Sequence, residues 1–327
     1  FGLRLALRLA PFLLIAAPLL ASAQPKSWVP THPVELVVGV SPGGGIDRTA
    51  RTVQRIVQDK RLIDVPLNVI NKPGGGGTIA QTYLNQHAGD AHYVVITATS
   101  LLTNHIIGRT PIGHHHFTPV AMLYDEYLGV AVNADSPIKT GRELLNALNK
   151  PEALPIGIAA SAGNTNHIGA ALLAKAAGVE AKRLKVVVFG SGGESMTALM
   201  GGHVALVVTP SANLIGPMQN GRIRILGVAA PERIPGPLAS VPTWTEQGVD
   251  AVVANWRPVI GAKGWSPAQI AYWEEIYSRL VASDEWKAEI ARTGGVPHFM
   301  RSRELGAFFE AEETRFRSIL TDLGLAK

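Results

Sequence analysis

The feature that most restricts the architecture of this chain is a strand, a glycine-rich turn and a helix start, met three times. The turns are Ser41-Pro42-Gly43-Gly44-Gly45-Ile46-Asp47, Ser161-Ala162-Gly163-Asn164-Thr165-Asn166-His167 and Gly190-Ser191-Gly192-Gly193-Glu194-Ser195. Apolar, β-rich runs precede them at 34–40, 154–159 and 184–189. After the first turn, Ala50, Val53, Ile56 and Val57 recur at helical spacing, which predicts a helix over 47–60. Further strands are expected at 67–70, 93–97, 119–123, 127–132, 204–208 and 223–229. Helices are expected at 78–86, 140–148, 166–177 and 194–200. Strands alternating with helices imply parallel sheets with helices packed on them, so the fold class is α/β. The tail over 267–323 reads as mostly helical, opened by Pro267 behind Ser266 as N-cap.

Glycine in such turns lets the backbone bend sharply and approach a ligand with no Cβ in the way. The free N–H groups of the following helix then converge on one spot, with the positive end of the helix dipole behind them. That arrangement favours an anion, commonly a carboxylate or a phosphate. A single loop of this kind would say little, because strand-to-helix turns need glycine for their own geometry. Three of them, spread over two halves of the chain, point to an anion held between lobes. The length of 327 residues fits two domains of roughly 100–200 residues each. The division expected is one lobe from 24–124 and 230–327, a second from 125–229, and crossings near Tyr124 and Ala229.

Residues 1–23 carry Arg4 and Arg8 but no acid, then an apolar run over 9–21, then Ala21-Ser22-Ala23 before Gln24. This is the layout of a cleaved secretory signal, with the mature chain starting near Gln24. Thirteen apolar residues interrupted by two prolines are too few to span a bilayer, which takes about 20. Without cysteine there is no lipid attachment site after the signal, no disulfide, no thiolate metal site and no Cys nucleophile. Loss of the two arginines lowers the formal charge from +5 to +3, and no Lys/Arg run of the nucleic-acid-binding kind is present. The chain is therefore read as exported, with no nucleic-acid partner, no cofactor and no metal.

Other motifs compete for the same residues. Gly39-Val40-Ser41-Pro42-Gly43 matches the G-x-S-x-G elbow of serine hydrolases, yet Pro42 lacks the N–H that the oxyanion hole takes from that position. A secreted hydrolase using Ser41 or Ser191 is kept as the alternative from another class. Gly75-Gly76-Gly77-Thr78-Ile79-Ala80 resembles a dinucleotide fingerprint, but the next expected strand ends at Thr97-Ala98-Thr99-Ser100 with no acid for a ribose. Gly113-His114-His115-His116-Phe117 reads as a solvated loop, since three successive histidines cannot all face one ion. His167 is either a capping histidine or a ligand-facing donor. Asp47 is out of place beside an anion; it could cap its helix, hold its loop or bind through water.

Taken together, these residues resemble the periplasmic solute receptors of tripartite tricarboxylate transporters, the Bug or TctC-type family. The likeness rests on Pro33-Val34-Glu35-Leu36-Val37-Val38, Pro42-Gly43-Gly44-Gly45-Ile46-Asp47 and Val69-Ile70-Asn71-Lys72-Pro73-Gly74-Gly75-Gly76-Gly77. It continues through Gly163-Asn164-Thr165-Asn166-His167, Phe189-Gly190-Ser191-Gly192-Gly193-Glu194-Ser195, Leu199-Met200-Gly201-Gly202-His203-Val204, Pro231-Glu232-Arg233 and Glu246-Gln247-Gly248. The resemblance implies a two-lobed, type II Venus-flytrap periplasmic binding fold with two inter-lobe crossovers. It also implies a monomeric receptor for a small organic acid, working with integral-membrane transporter subunits. An orphan sensor that reports to a signalling partner is the remaining alternative.

Carried over residue by residue, the first wall of the ligand site comprises Ser41, Pro42, Gly43, Gly44, Gly45 and Asp47. The second comprises Ser161, Gly163, Asn164, Thr165 and His167, with Ser100 and Ser211 also lining the cleft. Three features depart from the family pattern. Asn164 stands where Ser or Thr is usual, Ala205 where an acid is often found, and Val40-Ser41 where a phenylalanine-containing stretch is common. Asn164 is expected to keep a donor at the site.

Overall fold

The computed structural model describes Gly2, residues 27–159 and residues 161–327. The expected signal, 1–23, lies outside the described residues apart from Gly2. Among the described residues no helix is long and apolar enough to cross a membrane.

The first lobe opens with β1 (Val34–Val38), α1 (Gly45–Asp59), β2 (Leu67–Asn71), α2 (Thr78–Asn85), β3 (Tyr93–Ile96), α3 (Ser100–Ile106) and β4 (Phe117–Glu126). The second lobe holds β5 (Leu128–Asn133), α4 (Gly141–Ala147), β6 (Ile156–Ala159), α5 (Thr165–Ala176), β7 (Val186–Phe189) and α6 (Gly192–Met200). It ends with β8 (Leu206–Pro210), α7 (Ile215–Gln219) and β9 (Ile223–Val228). The chain then returns to the first sheet as β10 (Arg257–Ala262), α8 (Pro267–Ala282), α9 (Asp284–Thr293), β11 (Gly295–Arg301) and α10 (Ser302–Asp322).

Two sheets result, ordered β11-β4-β10-β3-β1-β2 and β7-β6-β8-β5-β9. Each is mixed, which corrects the expectation of parallel sheets. The strands that enter a lobe from the other, β5 and β10, run antiparallel to both of their neighbours. Strands β1, β3, β6 and β8 run towards the cleft and deliver their turns there; a strand arriving from the cleft has to run away from it. Open α/β sheets bind ligands outside the carboxyl ends of their strands, so this polarity places the glycine turns at the cleft.

Side chains alternate along each strand, so every sheet buries both faces. In β1, Leu36 belongs to the same buried core as Val53 and Ile56 of α1 and Trp273 of α8, whereas Val37 belongs to another, with Leu84 of α2, Leu101 of α3 and Phe316 of α10. In β8, Val207 meets Leu199 of α6 and Leu206 meets Ile168 and Leu173 of α5.

Most elements stand within two residues of their expected places. Strands β10 and β11 were not expected, and both contain a proline. Pro258 has no N–H for the ladder, and the β4–β10 register shifts beside it; Pro297 sits on an edge strand with a shift at the same point. Proline is tolerated at bulges and edges but argues against a strand when read from sequence. Helix α3 also went unseen, because Ser100 opens a helix rather than lying in a plain turn.

Candidate functional site

A cavity of about 120 Å³ lies between the lobes. That is well above the minimum of about 10–15 Å³ that admits a single water, and leaves room for several waters or for one small organic molecule in their place. From the first lobe it is walled by Val40, Ser41, Gly44, Gly45 and Ile46 at the start of α1, Gly76 and Gly77 before α2, and Thr99 and Ser100 at the start of α3. The second lobe contributes Ser161, Asn164, Thr165 and Asn166 at the start of α5, and Gly190, Ser191 and Gly192 at the start of α6. Helix N-termini from both lobes therefore face one volume, where their unpaired N–H groups favour an acceptor.

Close approach explains Gly76 and Gly163. A Cβ on Gly76 would stand 3.1 Å from the Ser161 hydroxyl of the opposite lobe, and φ there is +66°. On Gly163, with φ +79°, it would stand 2.6 Å from Ile107 Cδ1. Both are cleft-closing contacts that a side chain would hold apart.

The three glycine turns share one brace. Gly43 N–H donates to Asp47 Oδ2 at 2.8 Å, Gly163 N–H to His167 Nδ1 at 2.9 Å and Gly190 N–H to Glu194 Oε2 at 3.0 Å. In each case the residue four positions on, in the first turn of the helix, reaches back to fix its own loop. This settles Asp47, which is buried and also receives Arg51 at 3.0 Å and Asn71 at 2.8 Å. Burial alone would raise its carboxyl, but the hydrogen bonds from Arg51, Asn71 and Gly43 outweigh it and hold it below the usual carboxylate range.

His167 is the neutral member of the set. Burial pushes its pKa below the usual 6.5, and Nδ1 can accept the Gly163 N–H only without a proton. The unfolded chain takes up this proton near 6.5, whereas the folded chain resists it, so acid favours unfolding. Stability is therefore expected to fall as pH drops through about 6.5, and His167→Gln should flatten that part of a urea-midpoint profile.

Of the positions singled out in the sequence, Ser41, Gly44, Gly45, Ser100, Ser161, Asn164 and Thr165 line the cavity. Pro42, Gly43, Asp47, Gly163, His167 and Ser211 do not. The first five belong to the braced backs of their loops. Ser211 is fully buried at the inter-lobe crossing, where its hydroxyl donates to Gly294 O at 3.3 Å. Asn164 lines the cavity, and its side chain also caps α5: Nδ2 donates to Ala159 O at 2.6 Å and Oδ1 accepts His167 N–H at 3.1 Å. One of its two N–H donors is thus spent within the loop. Ala205 lies outside the cavity wall, so that departure leaves the site untouched.

Sequence reasoning missed Asn213, Asn255 and Arg257. The Thr99 and Thr165 hydroxyls hydrogen-bond across the cleft, one donating to the other, and the hydroxyl that accepts in that bond is left to donate to Asn255 Oδ1, which lies 3.3 Å from Thr99 and 3.4 Å from Thr165. Arg257 is the one charged side chain in the wall among the described residues, and it is 2% exposed. Its Nη2 donates to Glu126 Oε2 and its Nη1 to Asn255 O at 3.0 Å. Two latches bridge the lobes at the rim: Arg48 Nη2 to Asn213 Oδ1 at 2.7 Å and Arg109 Nη2 to Ala162 O at 3.0 Å.

Away from the cleft, His114 Nε2 lies 3.0 Å from Glu313. Among the described residues one group, His32, Asp90 and His92, brings metal-ligating atoms close together. His92 already spends both nitrogens, on Asp90 at 2.7 Å and on the Thr31 N–H at 3.0 Å, and so ties down the segment before β1. For the hydrolase alternative, Ser191 Oγ is engaged as the α6 cap, accepting Glu194 N–H at 3.2 Å.

A family profile described as the tripartite tricarboxylate transporter family receptor matches residues 50–325. A Cupriavidus necator protein, the UPF0065 protein in the gbd 5' region, is 27% identical over 311 residues, covering 94% of this chain and 92% of its own. Among solved structures, R. palustris Rpa4515 with adipate aligns with a TM-score of 0.83 at 24% identity, over 91% of this chain and 99% of that one. MatC (Rpa3494) from Rhodopseudomonas palustris with bound malate aligns at 0.78 and 22% identity, over 89% and 99%. The shared fold is the two-lobed periplasmic binding fold that the family resemblance implied.

Proposed function

The chain belongs to the tripartite tricarboxylate transporter receptor family, and from that premise we propose that it is an exported receptor for a small carboxylate-bearing metabolite. The family is one of solute-binding receptors rather than enzymes, which removes the hydrolase alternative. The single observation that carries the proposal is the convergence of helix N-termini from both lobes on one cavity between them. Oriented N–H groups stabilise a carboxylate without an uncompensated cationic side chain. Relatives of the same fold that hold adipate and malate agree with an organic acid.

In this reading the protein is a periplasmic monomer freed of residues 1–23. Its lobes, 24–124 with 230–327 and 125–229, close over the ligand and present it to integral-membrane transporter subunits. Closure of this kind is hinge motion about the two crossings. Isothermal titration of the mature protein against mono-, di- and tricarboxylates is expected to find at least one ligand binding below about 1 mM. No binding across such a panel would overturn the proposal.

A further inference from the structure

We propose that the cleft accepts one negative charge only, so that its ligand is a small monocarboxylate with an apolar body, and that Glu126 sets this limit by neutralising Arg257. The inference rests on the carboxylate-receptor reading and narrows its substrate class.

The argument begins with the three braces. Two of the glycine-turn helices carry an acid in the first turn, Asp47 in α1 and Glu194 in α6, and these carboxylates offset the positive ends of their own dipoles. The third, α5, has no acid in its first turn; its brace is the neutral His167. One of the three N-termini is thus left uncompensated. At that terminus the Ser161 hydroxyl lines the cavity, is 8% exposed and has no hydrogen-bond partner among the described residues. A buried donor without an acceptor is costly, and a ligand oxygen placed there relieves it. The N–H groups of Thr165 and Asn166 likewise find no acceptor among the described residues. The carboxylate belongs there.

The acid-free termini of α2 and α3 also reach the wall, but their leading N–H groups are already spent: Gly77 and Thr78 donate to Gly74 O and Gly75 O, and Leu101 and Leu102 to Ala98 O and Thr99 O. Arg257 brings a full positive charge to the wall, but Glu126 pairs with it, and both side chains are buried. The remainder of the first-lobe wall carries no charge: aliphatic Val40, Ile46, Val95 and Ile96 stand there beside neutral Ser41 and Ser100. A second anion laid there loses its hydration against aliphatic groups and gains no free counter-charge. An apolar ligand body fits the same surface at no such cost.

Titration calorimetry of the mature protein with acids sharing a carbon chain, butanoate against succinate and hexanoate against adipate, tests this. The monoacid of at least one pair is expected to bind at least tenfold more tightly than its diacid. A diacid that binds equally or better in every pair that binds overturns the inference while leaving the receptor reading intact. Absence of binding by every acid overturns both. Glu126→Gln leaves Arg257 uncompensated and should shift the diacid-to-monoacid affinity ratio at least tenfold towards the diacid. Should that buried change unfold the protein, Glu194→Gln, at an exposed position, frees the α6 terminus and should move the ratio the same way by several-fold. A folded variant with an unmoved ratio overturns the assignment.

Discussion

Replacing Arg257 with methionine is expected to lower the unfolding free energy by about 3–5 kcal/mol, read from urea denaturation. Its guanidinium is buried against Glu126 and also donates to the carbonyls of Asn255 and Trp256. Methionine fills much of the same volume but abandons the Glu126 carboxylate in a site with little access to water. The cost comes chiefly from that stranded charge rather than from the lost attraction. Combining Arg257→Met with Glu126→Leu should therefore recover most of the loss, because a buried pair replaced on both sides is often neutral or even stabilising. If the single and double variants were equally unstable, burial of an unpaired charge would not be the cause. The location sharpens the expectation. Glu126 ends β4 at the outward crossing, and Asn255 N–H donates to Glu126 O at 2.7 Å on the return. The pair thus clamps both crossings together, and its loss should loosen the hinge as well as the core.

The second large effect concerns closure. Arg48 and Arg109 reach from the first lobe to Asn213 Oδ1 and Ala162 O of the second, on separate rim loops. Both arginines are partly solvated, so each latch contributes about 0.5–1 kcal/mol rather than the value of a buried charged hydrogen bond. Removing both, as Arg48→Ala with Arg109→Ala, should weaken carboxylate affinity about 5–30-fold by calorimetry. Neither side chain lines the cavity, so the loss would come from a smaller closed population, not from missing ligand contacts. Small-angle scattering of the ligand-free double variant should show a larger radius of gyration than the parent. Equal affinity and equal radius would mean that the latches merely decorate a closure set elsewhere.

Legibility of the site in the sequence was uneven, for identifiable reasons. Ser41, Gly44, Gly45, Ser161 and Thr165 could be named because a ligand approaching backbone N–H groups leaves a local mark, glycine and small polar residues between a strand and a helix. The brace was also written there, as Gly43 with Asp47, Gly163 with His167 and Gly190 with Glu194, always four apart. That spacing separates the side chains that hold the loops, Asp47, His167 and Glu194, from the residues that line the cavity. Asn213, Asn255 and Arg257 carry no such mark. They reach the cleft from a turn after β8 and from a return strand that begins more than 200 residues after β1.

The alternation of strands and helices and the glycine turns between them were dictated by local chemistry, since backbone conformation and side-chain periodicity act over a few residues. Charge at the site was not. Arg257 read alone is a cation, and Asp47 and Glu194 read alone repel an anion. Pairing with Glu126 and bonding to loop N–H groups reverse both impressions. Electrostatics depends on distance and burial between residues far apart in the chain. The glycine turns are thus legible in the sequence as the edges of the cleft, while only folding decides that Arg257 meets Glu126 there and that Asp47 and Glu194 turn back on their own loops.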